Sequence, residues 1–245
     1  MTLRKTTIGL CLLGTMLVSA VAVPAAGAQT NATAWGCVST AEAKHQYSDS
    51  RCTVESSGGN TGKWTKQTGT ANTPATGTAE SEGTTVFKAT TGGVSVELTS
   101  TSLSGTGSGE NKVNEGGIME ATGTGTIEFQ NVSANHSCLV NGVALATITT
   151  EKMRTHTLST TEVKFEPASG TTFATFTLTG CAISALNKTW VISGSDIGTV
   201  NGDKIQATHT GTTGQGTLKA NTSINAGIEG VLIGLNELGG AMGLE

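Results

Sequence analysis

Aromatic and charged residues are scarce in this chain: aromatic residues make up 4% of the sequence, charged residues 13%, and proline occurs three times. Beyond the first residues, the Ala-Leu-Glu-Lys periodicity of helices is also missing. The missing periodicity argues against a helical fold, and the few rings argue against a cleft lined with aromatic side chains. Threonine and glycine are plentiful instead, which favours β structure with a surface of hydroxyl groups.

The charge balance excludes a further class of partner. Against 18 acidic residues the chain has 14 basic ones, so its formal charge is 14 − 18 = −4. Without the N-terminal 28 residues, which hold Arg4 and Lys5, the charge is 12 − 18 = −6. Such a chain lacks the basic patch that nucleic acids and anionic membranes attract. We therefore expect no nucleic-acid partner.

Residues 1–28 have the pattern of a signal peptide. Arg4 and Lys5 precede an apolar stretch at 8–23, and Ala26-Gly27-Ala28 has the small-x-small form of a cleavage site. A transmembrane anchor is the alternative, but no other stretch approaches the roughly 18 apolar residues that a membrane span needs. We expect cleavage near Ala28, a secreted or cell-surface location, and no membrane span in the mature chain.

Cysteine usage agrees with export. Outside the signal peptide four cysteines remain, Cys37, Cys52, Cys138 and Cys181, and an even number in an oxidising compartment predicts disulfides. Three pairings are possible, of which proximity in sequence favours Cys37–Cys52 with Cys138–Cys181. No two cysteines have zinc-knuckle spacing, and the H-x-C formed by His136 and Cys138 stands alone. We therefore expect neither a metal site nor a cofactor.

The pattern of apolar residues predicts an all-β fold. In residues 94–98, for example, apolar and polar residues alternate, as in a half-buried antiparallel strand. Roughly ten to twelve such strands, with turns every 8–12 residues, predict a mainly antiparallel sandwich or barrel. A parallel β-helix is the alternative, but no repeat of fixed period supports it.

The same pattern divides the chain. The predicted segments are a signal peptide (1–28), a disulfide-closed N-terminal lobe (29–64), a Gly/Thr-rich loop or linker (65–85), an antiparallel β domain (86–235) and a loose tail (236–245). The apolar run at 228–235 predicts a buried strand that closes the fold. Two glycine-rich stretches, 104–112 and 123–125, lack the strand-to-helix setting of a phosphate-binding loop and are interpreted as turns.

Two Asn-Gly pairs predict hairpins, because a two-residue type I′ turn needs positive φ at both central residues. Asn141-Gly142 would pair Val140 with Val143, Leu139 with Ala144 and Cys138 with Leu145. Asn201-Gly202 would join a strand through Ile197 to one that carries Ile205.

Candidate catalytic residues are few. A secreted glycoside hydrolase needs two carboxyl groups about 5–10 Å apart across the sugar. The available glutamates are Glu97, Glu120, Glu128, Glu162 and Glu166. We interpret them as solvated surface residues, because few aromatic residues remain to line a sugar-binding cleft. The sequence also lacks the G-x-S-x-G and S-x-x-K motifs of serine nucleophiles, so it predicts no catalytic residue.

Several short motifs carry a resemblance. They are W-G-C-V with Y-x-D and C-T near the start, V-K-F-E-P-A-S-G-T-T-F and F-T-L-T-G-C-A-I later, and A-G-I-E-G-V-L near the end. In these motifs, which span most of residues 35–234, the chain resembles a set of uncharacterised secreted Thr/Gly-rich β proteins of environmental actinobacteria. The resemblance implies a bacterial exported protein with a similar signal, cysteine pairs and a Thr/Gly-rich β domain. It implies no known activity and no functional residue.

We therefore expect a secreted, non-catalytic β protein with a binding or structural role, whose threonine hydroxyls would contact a glycan or another cell-envelope component. The first alternative is a small-ligand-binding barrel of lipocalin or avidin type, with Trp64 and Trp190 at the mouth of an apolar cavity. The second is the secreted glycoside hydrolase. A filled core, a lined cavity or two carboxyl groups across a groove would distinguish these three functions.

Overall fold

The computed structural model describes residues 31–39, 46–57, 61–210, 213–214 and 216–245, so the predicted signal peptide lies outside the described residues. Strands dominate them, and the one helical element there is a 3₁₀ turn at Ser184–Leu186. The strands are β1 Ala34–Ser39, β2 Trp64–Thr68, β3 Ala75–Ser81, β4 Thr85–Thr91, β5 Val94–Ser100, β6 Ser102–Val113, β7 Met119–Ala134, β8 Leu139–Val140, β9 Ala146–Thr149, β10 Met153–Ser159, β11 Glu162–Pro167, β12 Thr172–Thr179, β13 Thr189–Ser193, β14 Asp196–Asn201, β15 Lys204–Ala207, β16 His209–Thr210, β17 Thr213–Gly214, β18 Lys219–Ala220, β19 Ile224–Asn236 and β20 Ala241–Leu244. The predicted all-β, antiparallel fold is confirmed, and it is a barrel. No helix in the described part of the chain is long and apolar enough to cross a membrane.

Eight strands close into a first ring, which we call the open barrel. Their order is β3–β6–β7–β10–β11–β14–β15–β19, and β19 pairs back to β3. Every neighbouring pair is antiparallel. Because the ring closes, none of these strands is left with a free edge around the barrel.

A second ring, which we call the filled barrel, continues from the first. Its order is β4–β5–β7–β9–β12–β13–β18–β19, and β19 pairs back to β4. A bridge between Thr150 and Ala174 joins the β9 side to β12. The two-residue strand β8 pairs with the end of β12.

The two barrels share β7 and β19, which are the two longest strands. Within β7, residues 119–130 pair with β6, whereas Ser133 and Ala134 pair with β5. Within β19, residues 224–229 pair with β18 and β4, and residues 230–236 pair with β15 and β3. The predicted closing strand is therefore part of β19, and it closes both rings.

Large side chains pack the interior of the filled barrel. The predicted alternation in 94–98 is seen in β5, where Val96 and Leu98 are buried in the core. Trp190 is completely buried and stacks on Phe176, with 6.3 Å between ring centroids. Its indole nitrogen donates a hydrogen bond to the carbonyl oxygen of Leu186 at 3.2 Å, so the one polar atom of this ring is satisfied.

Strands β1, β2 and β20 form an antiparallel ribbon that we call the cap. The cap is attached to the open barrel through the pairing of β20 with β19. The predictions of a loop or linker at 65–85 and of a loose tail at 236–245 were therefore wrong, because these segments contain β3 and β20. Strand β3 consists mostly of alanine, glycine and threonine, and β20 is only four residues long, so neither shows the apolar alternation by which strands are predicted. The predicted N-terminal lobe is likewise joined to the barrel, since Arg51 forms ion pairs with Asp203 and Glu82.

The structure contains the two disulfides that proximity in sequence favours. Cys37 in β1 is bonded to Cys52. Cys138, just before β8, is bonded to Cys181, just after β12. The first bond joins the cap to the segment around Arg51, and the second lies at an end of the filled barrel.

The two predicted hairpin turns differ in detail from the expectation. Asn141 and Gly142 have φ values of 51° and 83°, and Val140 and Val143 exchange hydrogen bonds, as a type I′ turn requires. The further pairs expected there, Leu139 with Ala144 and Cys138 with Leu145, were wrong, because β8 pairs with β12 instead, as in Leu139 with Thr179.

The second turn is shifted by one residue. Asn201 already pairs with Lys204, so Gly202 and Asp203 are the central residues rather than Asn201 and Gly202. Gly202 has a φ of 64°, and glycine at the first central position is the requirement of a type II′ turn.

Candidate functional site

A cavity of about 460 Å³ occupies the interior of the open barrel. This volume lies in the range of about 300–1,000 Å³ that is typical of small-molecule sites. A space of about 50 Å³ lies within the filled barrel, among Phe87, Phe129 and Phe176. The described part of the molecule thus has a substantial lumen in one of its two rings.

One side of the lumen is formed by glycines of β6 and β7. Gly107 pairs with Gly125, Gly109 pairs with Gly123, and Gly105 pairs with Ile127. We call Gly105, Gly107, Gly109, Gly123 and Gly125 the glycine wall. The interpretation of these stretches as turns was wrong, because they are the middle of two long strands with glycine on one face and threonine or serine on the other.

Close approach between strands explains the glycines. A Cβ on Gly107 would lie 2.6 Å from the carbonyl oxygen of Thr124, and one on Gly123 would lie 2.8 Å from the hydroxyl oxygen of Thr155. A Cβ on Gly125 would contact the carbonyl oxygen of Thr106. Glycine inside a strand marks such approaches and the tight bends of small barrels. The glycine wall therefore presents main-chain atoms, and no side chains, to the lumen.

Larger apolar side chains line the lumen on the strands that follow β7 around the ring, and we call them the apolar wall. Its members, on β10, β11, β14, β15 and β19, are Met153, Val163, Phe165, Val200, Ile205 and Leu232. Phe165, Ile205 and Leu232 are only partly buried, because the glycines opposite do not reach them. A bare surface and an apolar surface therefore face each other across the cavity.

The cap lines one end of the lumen with Trp35, Met242 and Leu244. Trp35 is held in place by a hydrogen bond of 3.1 Å from its indole nitrogen to the carbonyl oxygen of Leu244. The lining residues from Gln67 to Ala75 are exposed, so the mouth of the cavity lies at this segment.

Most polar side chains in the lumen are already engaged. Asn111 donates hydrogen bonds to the carbonyl oxygens of Ala34 and Gly69 and accepts one from the Ala34 amide. The Thr157 hydroxyl accepts a hydrogen bond from the Ala121 amide at 3.1 Å. Thr155 differs, because no hydrogen-bond partner for its hydroxyl exists among the described residues.

The two tryptophans expected at the mouth of a cavity do not line it. Trp190 lies in the core of the filled barrel, and Trp64 lies in β2, where it pairs with Ser39. Trp35 of the cap takes the place that was expected of them. Sequence reasoning missed both Trp35 and Thr155; the signal that could have led to the lumen is the period-two alternation of glycine with threonine or serine in β6 and β7.

The five candidate glutamates are absent from the cavity lining in the described chain. Glu97 pairs with Lys88 at 3.4 Å, and Glu128 accepts a hydrogen bond from Gln130. Burial alone would raise the pKa of Glu166, but hydrogen bonds from Lys164 and Arg154 hold that pKa below its ordinary value. A general acid of a glycosidase needs a raised pKa, so Glu166 does not match that role.

The described residues contain no group of three or more His, Cys, Asp or Glu side chains that could hold a metal ion. Cys138 is in a disulfide, and the His136 ring contacts the carbonyl oxygen of Ser95 at 2.9 Å.

Comparison with known proteins finds no family model, no curated protein and no solved structure that matches the chain. The geometry of the lumen is therefore the ground for a functional inference.

Proposed function

We propose that this protein is an exported, non-catalytic binding protein that holds a small, mainly apolar molecule in the open barrel. The observation that carries the proposal is the cavity of about 460 Å³ between the glycine wall and the apolar wall. Export is supported by the N-terminal sequence pattern and is compatible with the two disulfides.

The filled barrel of the same chain supports a binding role. Protein interiors are normally packed to the density of organic crystals, and apolar surface that is left without contacts loses dispersion energy. The filled barrel meets this rule with Trp190, Leu178 and their neighbours. In the open barrel, the glycine wall has no side chains that reach the apolar wall, so the space between the two walls is left empty. A ligand would supply the missing contacts for the apolar wall.

Binding of the uncharged hydrocarbon dye 1,6-diphenyl-1,3,5-hexatriene tests the proposal. We expect the oxidised protein to increase the dye's fluorescence and to saturate at one dye per chain. Thr155→Trp would put a large ring into the lumen and should weaken binding at least tenfold. The matched control is Thr106→Trp. The Thr106 backbone borders the cavity, but its side chain is exposed and takes the outward position between Gly105 and Gly107, so this change should alter the affinity less than twofold.

Circular dichroism and thermal unfolding of both variants would show that each is folded. Dye binding that is absent, or that Thr106→Trp weakens as much as Thr155→Trp does, would contradict a ligand site in the lumen.

A further inference from the structure

The lumen offers no countercharge to a charged ligand. Among the described residues that line it, Glu110 is the one with a charged side chain. Its neighbours in β6, Gly109 and Asn111, face the lumen, so Glu110 takes the outward position between them. No lysine, arginine or histidine is present in that lining. Because a buried ion without a partner costs several kcal/mol or more, a carboxylate or an ammonium group is disfavoured there.

The glycine wall offers contact without hydrogen bonds. Strand β6 pairs with β3 on one side and β7 on the other, and β7 pairs with β6 and β10. The backbone N–H and C=O groups of the wall are therefore used by the sheet. What remains is a surface of Cα atoms, which a hydrocarbon chain or the face of a ring can approach closely.

Among the inward-facing side chains of the described lining that are at least partly buried, Thr155 is the one whose hydroxyl has no hydrogen-bond partner. It lies on β10, opposite Gly123, and is partly buried. Asn111, Asn236 and Thr157 are held by hydrogen bonds to backbone groups. A ligand with one hydrogen-bonding group can therefore pair that group with the Thr155 hydroxyl. A ligand with several such groups would leave the others without a partner there.

We infer that the ligand is uncharged and mostly hydrocarbon, with a single hydroxyl or carbonyl group that hydrogen-bonds to the Thr155 hydroxyl. This inference rests on the proposed function and names its ligand class. Thr155 would set the preference for the polar group, and the two walls would select for a hydrocarbon body.

A matched pair of competitors tests the charge preference. Dodecan-1-ol and dodecanoate differ only at the terminal group, and each can displace diphenylhexatriene at pH 8. We expect the alcohol to displace the dye at a concentration at least tenfold lower than the carboxylate. At pH 4 the acid is largely protonated, so the gap should shrink. Equal displacement at pH 8, or stronger displacement by dodecanoate, overturns the inference while dye binding itself still supports the proposed function.

A conservative pair of variants tests the role of Thr155. Thr155→Val keeps the size and removes the hydroxyl, so dodecan-1-ol should bind about threefold to tenfold more weakly, as for the loss of one hydrogen bond. The affinity for diphenylhexatriene, which has no polar atom, should stay within twofold. Thr155→Ser should bind the alcohol as the wild type does. Unchanged alcohol binding by Thr155→Val would overturn the assignment of Thr155, and absence of dye binding by the wild type would overturn the proposed function as well.

Discussion

The open and filled barrels have the same number of strands and share β7 and β19, yet their interiors are opposites. In the filled barrel, inward side chains such as Val96, Leu178 and Trp190 are essentially inaccessible to solvent, and the space among its phenylalanines measures about 50 Å³. In the open barrel, a cavity of about 460 Å³ remains. The hydrogen bonds of the sheet suffice to close either ring. The two interiors differ in side-chain volume, since large residues fill one ring and glycines line part of the other.

The change from one interior to the other occurs within single strands. Along β7, Gly123 and Gly125 face the lumen, and Phe129 and Val132 then face the packed core. Beyond the glycines, the inward positions of β7 thus change to large apolar residues. The two barrels therefore lie end to end along one continuous sheet, and a ligand in the lumen would lie close to the core.

The largest expected effect comes from the same substitution in the two interiors. Leu178→Ala removes a completely buried side chain of the filled barrel and should lower the free energy of unfolding by about 3–5 kcal/mol. Leu232→Ala removes a partly buried side chain of the lumen and should cost only about 1 kcal/mol. Urea unfolding without ligand measures both. Equal losses would mean that the open barrel is as well packed as the filled one.

Removing each disulfide in turn should lower stability in both cases but weaken ligand binding in only one. By loop entropy, losing Cys138–Cys181, which closes 43 residues, costs about 4 kcal/mol, and losing Cys37–Cys52, which closes 15, costs about 3 kcal/mol. Cys138→Ser should leave dye affinity unchanged, since its bond lies at the filled barrel. Cys37→Ser should also weaken dye binding, since its bond holds the cap beside Trp35. Thermal unfolding and dye titration check both; a reversed pattern of binding would contradict the assignment of the lumen.

The last effect appears only above about pH 4 and concerns Asp196, which begins β14 and is 7% exposed. Burial raises its pKa to about 7, and a hydrogen bond from the Ile197 amide opposes the shift. The folded state therefore holds a proton that the unfolded state releases near pH 4, so the contribution of Asp196 to stability is greatest below pH 4 and falls as pH rises through 7.

Asp196→Asn should remove this dependence, because the amide resembles the protonated acid. The variant should exceed the wild type by about 2–4 kcal/mol at pH 8 and should equal it near pH 4. Chemical unfolding at the two pH values measures the difference. A stability difference that is the same at both values would contradict a raised pKa at Asp196.

Much of the fold follows from the sequence where apolar side chains fill space. The alternation in 94–98 and the signal at Asn141-Gly142 lie in or beside the filled barrel, and the run at 228–235 lies in β19, which both barrels share. Each predicts the local structure seen there. In such strands the buried face consists of valine, leucine and isoleucine, so the alternation of apolar and polar residues can be recognised in the sequence.

The lumen could not be predicted in the same way. Its inward face on β6 and β7 is glycine, which ordinarily signals a turn, so residues 104–112 and 123–125 were interpreted wrongly. A cavity forms where large inward side chains are missing, whereas hydrophobic periodicity recognises a strand only by the large apolar side chains that it has. Trp35 contributes to the site because β1 pairs with β20, a contact between residues some 200 positions apart that no local pattern reveals.

The glycine wall has a consequence for how this protein can diverge. At Gly107, Gly123 and Gly125, even a methyl group would meet a neighbouring strand or Thr155, so natural variation is barred from one half of the recognition surface. A lineage that acquires a new ligand would have to do so through the apolar wall and Thr155. Relatives with different ligands should therefore keep the glycines and vary at positions such as Phe165 and Ile205.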